Sequence, residues 1–301
     1  MICLEDNRGF NCCELIENRE QQLRIGIIDA DLLDNGTRHP NLALLKISGY
    51  CKHFDHSVRL VQTYKEISTG MFVDEDAFDL LVMSKVFKFT KTPEFVNYMI
   101  EQHMICYGGT GFFEINGPSL PTKVEHFLPD YHLYDDFIEW KTAGDAKKKK
   151  RNWDDYISYS IGFTTRGCIR HCGFCVNRLL NRVDEWSPVE EFLDSSPAIC
   201  KPLLQQLTDT KQPFQFHQGL DERMLAENPC GQEMAEILSH ARCHGDFIFA
   251  FENWRDRETI EKALIICKHY NTKNGTKFYH WNVRYHGASN KTKNGIFVFV
   301  G

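Results

Sequence analysis

Ile161-Gly-Phe-Thr-Thr-Arg-Gly-Cys-Ile-Arg-His-Cys-Gly-Phe-Cys175 is the stretch around which the rest of the chain is read. An apolar, strand-like run leads into three thiols, Cys168, Cys172 and Cys175, at C-x3-C-x2-C spacing. Thiolate is a soft ligand suited to iron–sulfur clusters or zinc. A tight loop with three of them can aim every sulfur at one centre. Three donors fall one short of a closed tetrahedral zinc site, whereas a cubane [4Fe–4S] cluster held by three thiolates keeps one iron open for another ligand. The alternatives are a zinc site completed by His171 or a distant cysteine, and three buried thiols with no ligand. Zinc is disfavoured because no second C-x2-C or H-x3-H pair at knuckle spacing follows.

The spacing, with Phe174 just before the last cysteine, resembles the signature of the radical S-adenosylmethionine (SAM) enzymes. Ile161 to Cys168 is similar to that family's first barrel strand entering the cluster loop, and Val176-Asn177-Arg178 to the start of the following helix. The resemblance implies a [4Fe–4S] cluster on Cys168, Cys172 and Cys175, SAM chelated at the open iron, and Phe174 beside the adenine. It also implies reductive cleavage of SAM to a 5′-deoxyadenosyl radical that abstracts a substrate hydrogen, fed by a reductant such as a flavodoxin or ferredoxin. In such enzymes the cofactor carries the radical chemistry and the protein supplies placement and shielding.

The chain has 301 residues, which predicts about two domains. Hydrophobic content of 42% and charged content of 25% are ordinary for a globular protein. A net charge of -6 gives no indication of a nucleic-acid-coating surface. The 12 cysteines are scattered apart from the central trio. With no secretory leader at Met1 and no apolar run of the roughly 18 residues that cross a bilayer, the expectation is a cytoplasmic protein with reduced thiols.

Upstream of the trio, residues 1–22 read as an extension. Over 23–130 the pattern predicts an α/β domain: an open, doubly wound parallel sheet with helices on both faces. Its strands are expected at Leu23–Asp29, Ser57–Gln62, Phe78–Met83 and Met104–Tyr107, with helices opened by Pro40 and near Thr92. Such a domain before a radical SAM core resembles the cobalamin (B12)-binding-type domain of that superfamily's B12-dependent branch, which makes cobalamin a further cofactor that the resemblance implies. The D-x-H-x-x-G string of many cobalamin domains is absent, and the nearby histidines are His39 and His53. Gly108-Gly-Thr-Gly111 reads as a strand-to-loop turn, since no phosphate-loop pattern surrounds it.

Residues 131–155 read as the linker. Pro118 to Trp140 is an aromatic connector, and Lys147-Lys-Lys-Lys-Arg151 is a solvated charge run, a nucleic-acid contact or an address signal. From Tyr156 to Gly301 the expectation is a partial radical SAM (β/α) barrel. Tyr156 to Thr164 is its first strand, Ser187-Pro-Val-Glu190 caps a helix, and Phe214 to Arg223 and Asp246 to Phe251 are later strands. Parallel barrels do chemistry at the carboxyl ends of their strands, so Gln218, Asp221, Arg223 and Glu252 are candidate SAM or substrate contacts. The alternative for Asp221 and Arg223 is a helix cap and a surface ion pair. Lys277–Trp281 and Gly295–Val300 are the last expected strands, with a polar, irregular stretch between. Six βα units need roughly 180 residues, more than Tyr156 to Gly301 provides, so the barrel is expected to be incomplete and to present edges to a partner or a second copy.

The sequence names no catalytic residue beyond the cofactor site. It leaves two functions open: a radical SAM enzyme, for which the B12-type resemblance implies methyl or methylthio transfer, and a non-catalytic iron–sulfur or zinc protein derived from one.

Overall fold

The computed structural model describes residues 12–18, 20–37, 39–70, 77–113, 117–158, 160–162, 165–167, 183–185, 204–216, 220–242, 248–251, 254–273, 282–285 and 296–298. The chain forms two compact units, Met1–Gly162 and Phe163–Gly301.

Unit 1 begins with the short helix α1 (Cys13–Glu17) and the strand β1 (Arg24–Asp29), whose apolar run is buried. Asp29 ends β1 and caps α2 (Ala30–Asp34) by accepting from the Leu32 amide. Asn41 caps α3 (Leu42–His53), accepting from the Ala43 and Leu44 amides, so the helix expected from Pro40 starts two residues later. Then follow β2 (Ser57–Leu60), α4 (Tyr64–Gly70), β3 (Leu80–Ser84), α5 (Glu94–Glu101), β4 (Cys106–Gly108) and α6 (Thr110–Phe113). The sheet order is β2-β1-β3-β4 and every pairing is parallel. This is the doubly wound order in which the chain reverses direction between β1 and β3.

Alternation along the strands sorts the core into two layers. Ile25, Ile27, Leu80 and Val82 point to one face, where α3 brings Leu44, Leu45, Ile47 and Tyr50. Ile28, Leu81 and Met83 point to the other, against Ile67 of α4 and Val96 and Met99 of α5. At Gly26 in β1 a Cβ would stand 2.7 Å from a terminal methyl of Leu81 and 2.9 Å from the Phe78 ring, so a larger residue would have to push these side chains aside.

The stretch read as a connector and linker is part of this unit's core. It forms α7 (Thr122–Glu125), α8 (Asp135–Thr142) and α9 (Ala146–Ile157). Val124, Tyr134, Phe137, Ile138 and Tyr156 are buried in the same cluster as β1 and α3. Asp145 caps α9 by accepting from the Lys147 and Lys148 amides, which turns the basic run into a helix's first turns. The apolar side chains that dock it, Trp153 and Tyr156, come only after the run. Tyr156, expected to open a barrel strand, therefore sits on a helix. The 121–130 segment is strapped to α3: the Asp130 amide donates to Leu45 O at 2.9 Å, and Ser48 and Lys52 reach the Asp130 carboxylate at 2.6 and 2.7 Å. Burial opposes ionisation of Asp130, but Lys52 and Ser48 outweigh it and hold the carboxyl below its ordinary range.

Unit 2 contains the strands β5 (Thr165–Gly167) and β6 (Val183–Glu185), then the helices α10 (Arg223–Ala226) and α11 (Gly231–His240). These are followed by β7 (Ile248–Phe251), α12 (Arg257–Lys273), β8 (Asn282–Tyr285) and β9 (Ile296–Val298). β7 and β8 are parallel and joined through α12, a βαβ unit. Leu225, Met234, Leu238, Phe249, Ala263 and Cys267 form its core. Two expectations are corrected here. The strand Asn282–Tyr285 lies in the stretch read as irregular, and residues 277–281 are outside the described residues. β5–β6 and β8–β9 pair antiparallel, unlike the ladders of an all-parallel barrel. Over 214–223 the described residues include bridge positions at Phe214 and Leu220, the latter parallel to Phe249, and residues 217–219 lie outside them.

Candidate functional site

The three thiols fall between two paired strands. β5 ends at Gly167, immediately before Cys168, and pairs with β6 in the register Thr165↔Glu185, Arg166↔Asp184, Gly167↔Val183. The ladder brings the two ends of the 168–182 loop to neighbouring-strand distance, about 5 Å. Cys168, Cys172 and Cys175 therefore lie on the segment that joins β5 to β6, and this segment is outside the described residues. Phe174, Gln218 and Glu252, Ser187–Glu190 and the helix expected from Val176 also lie outside them.

Asp221 and Arg223 are described, and they engage each other. Arg223 Nε and Nη2 donate to the two Asp221 oxygens at 2.9 and 2.5 Å, and the Arg223 amide donates to Asp221 Oδ1 at 3.0 Å. The two form a bidentate, part-buried ion pair two residues apart at the start of α10, where Glu222 holds the cap position without a side-chain cap bond. Leu220, one residue earlier, donates its amide to Ile248 O at 2.7 Å, so the pair sits beside the start of β7. Glu222 between them is fully buried, a feature that the exposed-looking Asp-Glu-Arg string does not announce.

In unit 1 the doubly wound topology points to the carboxyl ends of β1 and β3, the place where such sheets bind ligands. Here that edge is filled by the chain's own side chains. The Tyr134 hydroxyl donates to Asp29 Oδ2 at 2.7 Å and accepts from the Asn41 amide at 3.1 Å, while Asn41 Nδ2 donates to Ser84 Oγ at 2.9 Å. Tyr156 packs edge-on against Tyr134 and bonds Thr37. Asp31 accepts from the Val86 and Phe87 amides at 2.7 and 3.3 Å and from the Thr90 hydroxyl, anchoring the loop after β3. Apart from Asp29 as the acid that ends a strand, these residues gave no signal in the sequence, because Tyr134 and Tyr156 reach the edge from α-helical segments more than a hundred residues away.

This edge does not fit a corrinoid. Its polar atoms at β1 and β3 are engaged with one another. The two candidate histidines lie elsewhere in use: His39 pairs with Asp155 at 3.0 Å, and His53 packs against Phe54 and Phe127. Among the described residues no group of three or more His, Cys, Asp or Glu side chains is arranged to hold a metal ion.

Asp29 is 1% exposed, and burial pushes its carboxyl up to about 6 against the lowering pull of Tyr134 and the Leu32 amide. The native state then holds a proton that the unfolded state, titrating near its usual ~3.9, releases. Stability from this group is thus full below about pH 4 and is lost as pH rises through about 6, a change of about 3 kcal/mol. Asp29→Asn is expected to abolish this component. The stability of the variant relative to the parent, measured by urea unfolding, should rise by about that amount between roughly pH 4 and pH 7.5. A pH-independent difference would show that Asp29 titrates normally.

The fold is that of a mixed α/β chain with a four-strand, all-parallel sheet in unit 1, and in unit 2 the three cysteines fall between the paired strands β5 and β6. No protein family, curated protein or solved structure matches it. Among the described residues no helix is long and apolar enough to cross a membrane.

Proposed function

We propose that the protein is a radical SAM enzyme in which Cys168, Cys172 and Cys175 hold a [4Fe–4S] cluster. One observation carries the reading: three thiols at C-x3-C-x2-C spacing directly follow a strand, on a loop whose ends are tied by the β5–β6 ladder. The donor set suits the group, since three soft anionic sulfurs on one short loop complete a cubane with one open iron. When bound, the cluster supplies the single electron that cleaves SAM. The chain's own part is to hold the sulfurs, to place Phe174 beside the adenine, and to offer Gln218 and Glu252 as polar contacts for SAM. Asp221 and Arg223 act in this reading as a paired unit that shapes the turn into α10. The βαβ unit β7–α12–β8 is the element from which a partial barrel is built, and a flavodoxin or ferredoxin is the reductant. Unit 1 is B12-binding-like in topology only, so the proposal includes no corrinoid step, and methyl or methylthio transfer remains an analogy from the superfamily.

A second reading, a non-catalytic iron–sulfur or zinc protein derived from such an enzyme, is favoured by the antiparallel pairings β5–β6 and β8–β9. One experiment separates the two. Anaerobically reconstituted protein, reduced and mixed with SAM, is expected to contain about four irons per chain and to form 5′-deoxyadenosine. Iron without 5′-deoxyadenosine supports the second reading. One zinc and no iron overturns the first.

A further inference from the structure

Four of the cysteines outside the loop are gathered in unit 1. Cys12, Cys13, Cys51 and Cys106 are all buried, free thiols of one core cluster. Two of them are partners: Cys12 Sγ, just before α1, lies 4.0 Å from Cys106 Sγ, on the first residue of β4, across 94 residues of sequence. No salt bridge or capping role accounts for the pair, and a second apolar side chain would fill the same space. We propose that Cys12 and Cys106 form a reversible disulfide, a redox-sensitive clasp between the N-terminal helix and the sheet of unit 1.

Three features support it. The sulfurs are in contact, and closing to a bond of about 2.05 Å asks for roughly 2 Å of approach, within reach of small side-chain rotations. The thiols are inequivalent: their mutual contact lowers Cys106 below the ordinary thiol range despite burial, and the same contact, with burial, raises Cys12. That inequality favours Cys106 as the nucleophile. Access comes through α1, which has five residues and no side-chain cap and is held from outside by His56 on Ile16 O, at 2.7 Å, and by Tyr50 and Lys123 on Glu17. A short helix without a side-chain cap belongs to the low-stability end of a fold. In a reducing compartment a disulfide of this kind is transient and sensing rather than structural.

A peroxide is the oxidant. The Cys106 thiolate attacks one oxygen of hydrogen peroxide; the O–O bond breaks, and the departing hydroxide takes up the proton that Cys106 had released, giving water and a Cys106 sulfenic acid. The Cys12 sulfur then attacks the Cys106 sulfur, the S–O bond breaks, and hydroxide leaves with the Cys12 proton as a second water. Two thiols lose two electrons and one peroxide becomes two waters.

The test is peptide mapping of the full-length chain after hydrogen peroxide treatment, with alkylation under denaturing conditions. The expected product is a Cys12–Cys106 cross-linked peptide that dithiothreitol removes. Free Cys106 should disappear at least about tenfold faster than free Cys267, a buried thiol of the other unit's core with no thiol described beside it. Because the cross-link closes a long loop, it should raise the melting temperature of unit 1 by roughly 5–10 °C. In Cys12→Ser the sulfenic acid on Cys106 should persist and react with dimedone. Full alkylation of both residues after peroxide overturns the proposal, as does preferential pairing of Cys12 with Cys13 or Cys51. The wild-type map decides this even if the variant fails to fold.

Discussion

A chain in which Cys168, Cys172 and Cys175 are all replaced by Ala is expected to retain no iron or sulfide after anaerobic reconstitution, falling from about four irons to none, with loss of the absorbance at about 400 nm. The effect is all-or-none because the loop supplies every protein donor the cluster has in this reading, and an alanine methyl has no lone pair to offer iron. Single substitutions should be nearly as severe, since two thiolates cannot hold a cubane against loss to solvent. Cys230→Ala, at a half-buried thiol in unit 2, should leave iron content unchanged and serves as the control for nonspecific iron–sulfide. If the triple variant absorbs as strongly as the parent, the loop is not the ligand and the proposed function falls with it. Far-UV circular dichroism tells that result apart from misfolding, because the helices and sheet of unit 1 do not include the loop.

The next largest effect is expected at a buried ion pair. Lys46 of α3 and Glu125 of α7 are 1% and 3% exposed, and Lys46 Nζ reaches Glu125 Oε1 at 2.8 Å as well as the Glu125 carbonyl oxygen. Placing two charges in a core costs several kcal/mol each, offset only by their mutual attraction and hydrogen bonds. Removing one partner takes away that attraction and leaves the other charge buried. Lys46→Met is therefore expected to destabilise unit 1 by about 3–5 kcal/mol, measured by chemical denaturation. Lys46→Met combined with Glu125→Leu should recover most of that loss, because an apolar pair of similar volume needs no compensation. A single-variant loss under about 1 kcal/mol would mean that the pair is solvated in solution.

The parallel sheet was legible because its central strands, β1 and β3, are short apolar runs buried on both faces, and such runs between helical patterns have few other arrangements. Their ends shifted by a residue or two, as with Ser84 and Gly108, where side-chain periodicity stops informing. The stretch 131–157 was misread for a definite reason. Lys147 to Arg151 carries no apolar face of its own, and the docking residues Tyr134, Phe137, Trp153 and Tyr156 are spread over separate segments, so only packing reveals that they share one core. The candidate contacts divided in the same way. Cys168, Cys172 and Cys175 stand out because metal ligation by one loop demands close sequence spacing. Asp221 and Arg223 looked the same in either role, and it took the bidentate geometry to set them against each other.

By itself the sequence determined what depends on local order: the alternation of strands and helices, and the spacing of three thiols within eight residues on which the proposed cluster rests. Tertiary structure alone decided what depends on distant residues meeting. It placed Tyr134 against Asp29 at the sheet edge, buried Lys46 with Glu125, paired Gly167 with Val183 to close the cysteine loop, and set Cys12 against Cys106. The physical reason is that local preference is written in neighbouring side chains. Contacts between residues tens of positions apart are chosen by how the whole core packs, and no short window of sequence records that choice.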